Sequence, residues 1–182
     1  MEIIKTSIED LVILQPRVFQ DERGYFMESF KESFFEGYFP NLKFIQDNES
    51  KSTYGVLRGL HFQKPPFEQT KLVRVIQGEV LDVAVDLRPN SKTFGKYESV
   101  ILSGENKNQF LIPKGFAHGF IVLSEEAVFS YKVDNYYSPN HDAGILYNSL
   151  DIDWIIPVQD ITLSKKDRNL DDFEDFIRNI EE

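Results

Sequence analysis

Through the middle of the chain, apolar and polar residues alternate in short runs closed by turn signals. Val83, Val85 and Leu87 alternate with Asp82, Ala84 and Asp86, the period-two pattern of a strand. Similar runs predict strands over 43–48, around His61, and over 71–76, 79–87, 97–102, 109–112, 120–123 and 128–133. Pro65-Pro66, Pro89-Asn90-Ser91, residues 104–108 and Pro113-Lys114-Gly115 break the pattern into loops. Gln77-Gly78 reads as the turn between 71–76 and a return strand. Residues 1–15 read as one strand entering the fold, with Val12, Ile13 and Leu14 as its apolar run. Asp21-Glu22-Arg23-Gly24 is a turn between two aromatic-rich segments. Residues 29–39, rich in Phe, read as a short helix or irregular segment ended by Pro40. Only the end is clearly helical, with Leu170, Phe173, Ile177 and Ile180 at helical spacing. Many short strands at regular spacing predict a mainly β antiparallel sandwich or barrel. With no repeat or linker in view, a single domain over 1–182 is expected.

The same periodicity places polar groups on faces. In Leu57-Arg58-Gly59-Leu60-His61-Phe62-Gln63, strict alternation puts Arg58 and Leu60 on one face and His61 and Gln63 on the other. Lys71 shares a face with Val73 and Val75, so an inward face would make it a cleft lysine. Tyr131 shares a face with Phe129 and Val133. Each has a structural alternative: a satisfied core histidine for His61, half of an ion pair for Lys71, a core tyrosine with its hydroxyl bonded for Tyr131.

Composition narrows the classes. Hydrophobic residues at 41% and charged residues at 27% are an ordinary globular balance. A net charge of −10 argues against a general nucleic-acid binder, which needs a basic surface. It leaves room for one small anion held by local Arg and Lys. Much of the acidity sits in the tail, 171–175 and Glu181-Glu182, read as a solvated helix face. No cysteine is present, which excludes disulfides, thiolate metal sites and thiol nucleophiles. No signal-peptide pattern or apolar run of membrane length is found, so a cytoplasmic protein without membrane partners is expected.

The three histidines are His61, His118 and His141. A β-sandwich metal site commonly pairs two histidines two residues apart on one strand. Gln63 occupies that position here, so no metal is expected. His118 follows a Pro-x-Gly-x-x turn and reads equally as a backbone-bonded buried histidine. His141 lies in a polar loop and reads as exposed. No Gly-rich phosphate loop or nucleophile elbow appears. What remains is acid–base chemistry, with His61 the natural base near neutral pH. Asp167 is a candidate to orient it; on composition alone the start of the last helix is the better reading.

Several long motifs then occur in one order. They are Gln46-Asp47-Asn48, the 55–63 run around His61, Lys71-Leu72-Val73-Arg74-Val75, residues 78–86, residues 112–120, Tyr131-Lys132 and residues 134–139. Together they closely resemble the dTDP-4-dehydrorhamnose 3,5-epimerase family, over roughly Arg17 to Arg168. The resemblance implies a cupin-type jelly-roll β-sandwich with short peripheral helices and a C-terminal helix. It also implies a homodimer with pocket residues shared between subunits, no metal and no cofactor. The implied substrate is a dTDP-linked 4-keto-6-deoxy sugar, inverted at C3 and C5 through an enolate. His61 would be the base, Asp167 its orienting carboxylate, Lys71 the cation at the enolate oxygen and Tyr131 the acid across the ring. Phe19, Arg23, Glu28, Gln46, Asn48, Arg58, Lys71, His118, Tyr137 and Lys165 match substrate-binding positions, some reaching a neighbouring subunit's pocket. Phe62 stands where the family often has Tyr. The same chemistry serves epimerases acting at only C3 or only C5. A ketoisomerase and a non-catalytic sugar-binding jelly roll are the remaining alternatives.

Overall fold

The computed structural model describes residues 1–181; Glu182 and the side chains of Ile180 and Glu181 lie outside the described residues. The chain begins with β1 (Glu2–Lys5), β2 (Val12–Gln15), β3 (Val18–Asp21), β4 (Gly24–Met27) and helix α1 (Glu32–Tyr38). It continues through β5 (Gln46–Thr53), β6 (Val56–Gln63), β7 (Lys71–Gln77), β8 (Glu79–Asp86) and β9 (Tyr97–Ser103). β10 (Gln109–Ile112), β11 (Phe116–Val122), β12 (Glu126–Val133) and β13 (Asp142–Gly144) follow. β14 (Thr162–Leu163) and helix α2 (Phe173–Glu181) complete it. One sheet has the order β1-β2-β10-β7-β12-β5 and the other β13-β6-β11-β8-β9, with β14 added beside β6. The hairpin β3–β4 belongs to neither. Every pairing is antiparallel except that of β14.

The two sheets face each other across a core that includes Val73, Val75, Val80, Ala84, Phe110, Phe120 and Phe129. This is the antiparallel sandwich allowed by the strand spacing, of the cupin-like type that the family resemblance implies. Both outer faces are also covered, which explains the high aromatic content. Phe30, Phe34, Phe35, Phe39 and Phe44 pack over Leu72 and Leu111 outside the first sheet. Trp154, Ile161, Phe173 and Phe176 pack with Leu57, Leu60, Leu81 and Val83 outside the second. Helix α2 therefore lays Phe173 and Phe176 on the sandwich and turns Glu174, Asp175 and Arg178 to solvent.

Four sequence expectations need correction. Residues 1–15 are two paired strands, because the chain reverses between them with Thr6 Oγ1 donating to Leu11 O at 2.7 Å. The strand expected at 43–48 starts at Gln46 and runs on to Thr53, an all-polar edge strand that hydrophobic periodicity cannot register. Residues 71–76 and 79–87 form no hairpin: the turn at Gln77-Gly78 carries the chain from one sheet to the other. Gly78 has φ +81°, and a Cβ there would lie 2.1 Å from Glu126 O.

The fourth correction shapes the site. Across β6 and β11, His118 pairs with His61 but Phe120 with Arg58, so two β6 residues oppose Gly119 alone. The extra residue is a β-bulge at Gly59-Leu60 and it reverses the side-chain alternation. Leu57, Leu60 and Phe62 face outward into one core cluster, while Arg58 and His61 line the same interior cavity. Gly59 has φ +134°, and a Cβ would sit 2.5 Å from Gly119 Cα and 2.9 Å from His118 O. Gly59→Ala is therefore expected to lower stability by about 2–4 kcal/mol through backbone strain and overpacking. A urea-unfolding midpoint equal to that of the native protein would contradict this.

Candidate active site

Arg58, His61, Lys71, His118, Tyr131 and Asp167 converge on one cavity of ≈ 430 Å³ between the sheets, with Phe120, Phe129, Ser164 and Lys166 also in its wall. That is room for a small polar ligand. β6 supplies Arg58 and His61, β7 supplies Lys71, β11 supplies His118 and β12 supplies Tyr131.

Asp167 lies in a single helical turn, Asp167–Asn169, after β14, not at the start of α2. The parallel pairing of β14 with β6 brings that turn back to the histidine strand. Asp167 Oδ1 meets His61 Nε2 at 2.5 Å. Its other oxygen accepts the Ser164 hydroxyl at 2.9 Å, and Ser164 Oγ in turn accepts the Asp167 backbone N–H. Burial pushes the carboxyl upward, but the His61 and Ser164 hydrogen bonds outweigh it and hold Asp167 below the ordinary aspartate value. It is thus a carboxylate, which accepts a hydrogen bond from His61 Nε2. With Nε2 engaged, Nδ1 carries the free lone pair in the neutral ring.

Lys71 has no ion-pair partner among the described residues; its Nζ makes only a long 3.5 Å contact with the His61 carbonyl. Burial lowers its pKa to about 8, against the pull of Asp82 and Asp142. It is a half-desolvated cation in a cavity, not half of a surface pair. The Tyr131 hydroxyl has no hydrogen-bond partner among the described residues, unlike a satisfied core tyrosine. Burial raises its pKa, with Arg58 opposing.

His118 is buried and lines the cavity, but its setting differs from the backbone-bonded turn read from the sequence. It sits on a strand, not in a turn, and its Nε2 lies 3.0 Å from each oxygen of Asp82. Burial drives the imidazole pKa down and the carboxyl up. Asp82 escaped the sequence reading, yet a signal was there. β8 is buried on both faces, so a carboxylate on either face needs a partner.

The other expected pocket residues fall in different places. Gln46 and Asn48 lie on β5, with Gln46 Nε2 donating to Asn48 Oδ1 at 2.8 Å, and Asn48 stands opposite Tyr131. Tyr137 is exposed and donates its hydroxyl to Asp142 at 2.8 Å. Phe19, Arg23 and Glu28 lie on or beside the exposed β3–β4 hairpin, outside this chain's cavity. Phe19 and Glu28 instead line a separate surface cavity with Arg17 and Phe34. Lys165 is exposed and outside the wall; the neighbouring Lys166 lines it and bonds Asp142. His141, expected to be exposed, is half-buried, with Phe67 4.4 Å away and a 2.8 Å bond to Ser138 Oγ.

Among the described residues no group of three His, Asp or Glu is placed to hold a metal ion, and no helix is long and apolar enough to cross a membrane. The model of the dTDP-4-dehydrorhamnose 3,5-epimerase family matches residues 5–175. The chain belongs to this family. The curated dTDP-4-dehydrorhamnose 3,5-epimerase of Shigella flexneri is 56% identical over 178 residues, spanning 96% of this chain and 97% of the relative. The crystal structure of the Elizabethkingia anophelis NUHP1 epimerase superposes with a TM-score of 0.91 at 54% identity, covering 96% of this chain and 97% of that one. The Legionella pneumophila Philadelphia 1 epimerase was solved in complex with dTDP-4-keto-L-rhamnose. It gives a TM-score of 0.91 at 50% identity, covering 95% of this chain and 93% of that one.

Proposed function

We propose that this cavity inverts C3 and C5 of dTDP-4-dehydro-6-deoxy-D-glucose, giving dTDP-4-dehydro-L-rhamnose. One observation carries the reading: a carboxylate-oriented imidazole, an unpaired lysine and an unbonded tyrosine hydroxyl share one cavity. The C4 carbonyl acidifies the protons on its two neighbours. His61 Nδ1 takes the C3 proton, the electron pair moves into the C3–C4 bond, and the carbonyl oxygen becomes an enolate. The Lys71 ammonium faces that growing charge, the stabilisation that commonly dominates such barriers. Tyr131 returns a proton to the opposite face of C3, and the electron pair reforms the carbonyl. Burial that raises the Tyr131 pKa keeps the phenol protonated until the enolate needs it. Solvent reprotonates Tyr131 and takes the proton from His61, and the same cycle runs at C5. Arg58 and Lys166 supply the positive wall suited to a diphosphate.

The active form is proposed to be a homodimer. The β3–β4 hairpin leaves Phe19, Tyr25 and Phe26 exposed, which suits delivery of Phe19, Arg23 and Glu28 to a second copy's pocket. The whole chain is proposed to act as one domain in the cytoplasm, a setting in keeping with its lack of cysteine.

Incubation with the 4-keto sugar in heavy water, followed by NMR, tests the reaction. Deuterium uptake at both C3 and C5 with L-configured product is expected. Exchange at one carbon alone would point to a single-centre epimerase. Movement of the carbonyl to C3 would point to a ketoisomerase. No exchange despite tight binding would leave a binding module.

A further inference from the structure

Two residues after the base on β6, Gln63 is buried, and its carboxamide uses both ends. Nε2 donates to Phe67 O at 2.6 Å and to Tyr136 O at 3.1 Å, and Oε1 accepts the Ser138 N–H at 2.6 Å. The bulge at Gly59 turns Gln63, together with His61, to the same side as Arg58. Around it, the backbone of Lys64 donates to His141 O at 2.8 Å, and Asp142 pairs with Gln63 in the β13–β6 ladder. Gln69 and Asn135 tie the base of the same loop, Gln69 Nε2 donating to Asn135 O at 2.8 Å. Gln63 grips its middle on both sides of Tyr137, beside the local bonds of the Tyr136 N–H to Asn135 Oδ1 at 2.9 Å and of Ser138 Oγ with His141 Nδ1 at 2.8 Å.

What the grip holds is a chain of contacts leading to the cavity. Tyr137 donates to Asp142, Asp142 also takes the Lys166 ammonium, and Lys166 stands in the wall beside Asp167. We propose that Gln63 is a positioning residue for substrate binding, its carboxamide locking the 136–138 segment so that Tyr137, Asp142 and Lys166 stay set for the nucleotide end of the substrate. The proposal rests on the reading above that the cavity takes a dTDP-sugar; Tyr137 lies outside the cavity wall and is linked to it through Asp142 and Lys166.

A freed loop spends part of its time away from the binding arrangement, and apparent affinity falls by the fraction that remains competent. Turnover of the bound complex suffers less, because Gln63 does not touch the reacting carbons. Removing one partner from buried hydrogen bonds predicts a loss of affinity of about tenfold or more. Gln63→Met keeps the length and removes every hydrogen bond. Gln63→Glu keeps the shape but sets a carboxylate against two carbonyl oxygens; protonating it restores one donor, so its defect should ease as pH falls.

The experiment is calorimetric titration with dTDP alone, alongside steady-state kinetics with the 4-keto sugar, for the native protein and both variants. Tyr137→Phe is added singly and in the Gln63→Met background. Expected are a rise in the dTDP Kd and in KM that exceeds any fall in kcat, a pH-dependent KM confined to Gln63→Glu, and a Tyr137→Phe effect that largely vanishes once Gln63 is gone. If Gln63→Glu does not fold, the methionine variant and the double mutant carry the test. Native-like dTDP binding in the variants, strictly additive effects, or a lowered unfolding midpoint with unaltered KM would each overturn the proposal and leave the epimerase reading intact. A native protein that neither binds dTDP nor turns over the sugar would overturn both.

Discussion

His61→Ala is expected to cut kcat by about 10²–10⁴-fold while dTDP still binds. The His61 imidazole is held by a fixed carboxylate, since Asp167 accepts from Nε2 and leaves Nδ1 free. Asp167→Asn tests the same arrangement from behind. Its amide can present a donor to Nε2, which favours the tautomer with the proton on Nδ1, the wrong state for a base. A fall in kcat at unchanged dTDP affinity is expected there too, smaller than for His61→Ala. Measured turnover of His61→Ala near the native rate would remove His61 from the mechanism and return the chain to the class of sugar-binding sandwiches.

Lys71→Met carries the second large effect, a loss of about 10²–10³-fold in kcat as the enolate loses its counter-charge. Methionine fills similar space, so packing against β6 is kept. The lysine also predicts a pH limb with a definite sign. Its pKa is lowered by burial to about 8, so the cation is present below that pH and lost above it. kcat/KM, which reports the free enzyme, should therefore decline as pH rises through about 8 and not only near the ordinary lysine value. A native profile flat to pH ~10, the range of an unperturbed lysine, would show that the charge on Lys71 is not needed.

Much of this was open to reading in the sequence, for physical reasons that differ between elements. Strands β7 to β12 bury at least one face, so alternation marks them. The shared face of Lys71, Val73 and Val75 was legible, and with it the cleft position of Lys71 should that face point inward. β5 was misplaced because it lies at a sheet edge with only polar residues, and hydrophobic period has nothing to register there. The separation of β7 and β8 into different sheets is a property of the glycine turn and of the core, invisible to a local pattern. His61 and Asp167 are 106 residues apart, and the short parallel pairing of β14 with β6 brings them together. Phe19, Arg23 and Glu28 lie away from this chain's cavity. Lys165 and Lys166 were separable only once the turn before Asp167 fixed which of the two faces the wall.

The bulge in β6 acts on this strand as a frameshift acts on a message. Before Gly59, even-numbered positions belong to the interior; after it, odd-numbered ones do, so Arg58 and His61 look into one chamber across an odd interval. Loss of that single residue would keep every functional group in the chain and yet turn one half of the strand inside out, placing either the guanidinium or the imidazole among the apolar side chains of the outer face. Comparing such proteins by composition alone would miss the change. Comparing them by the phase of each half-strand would find it at once.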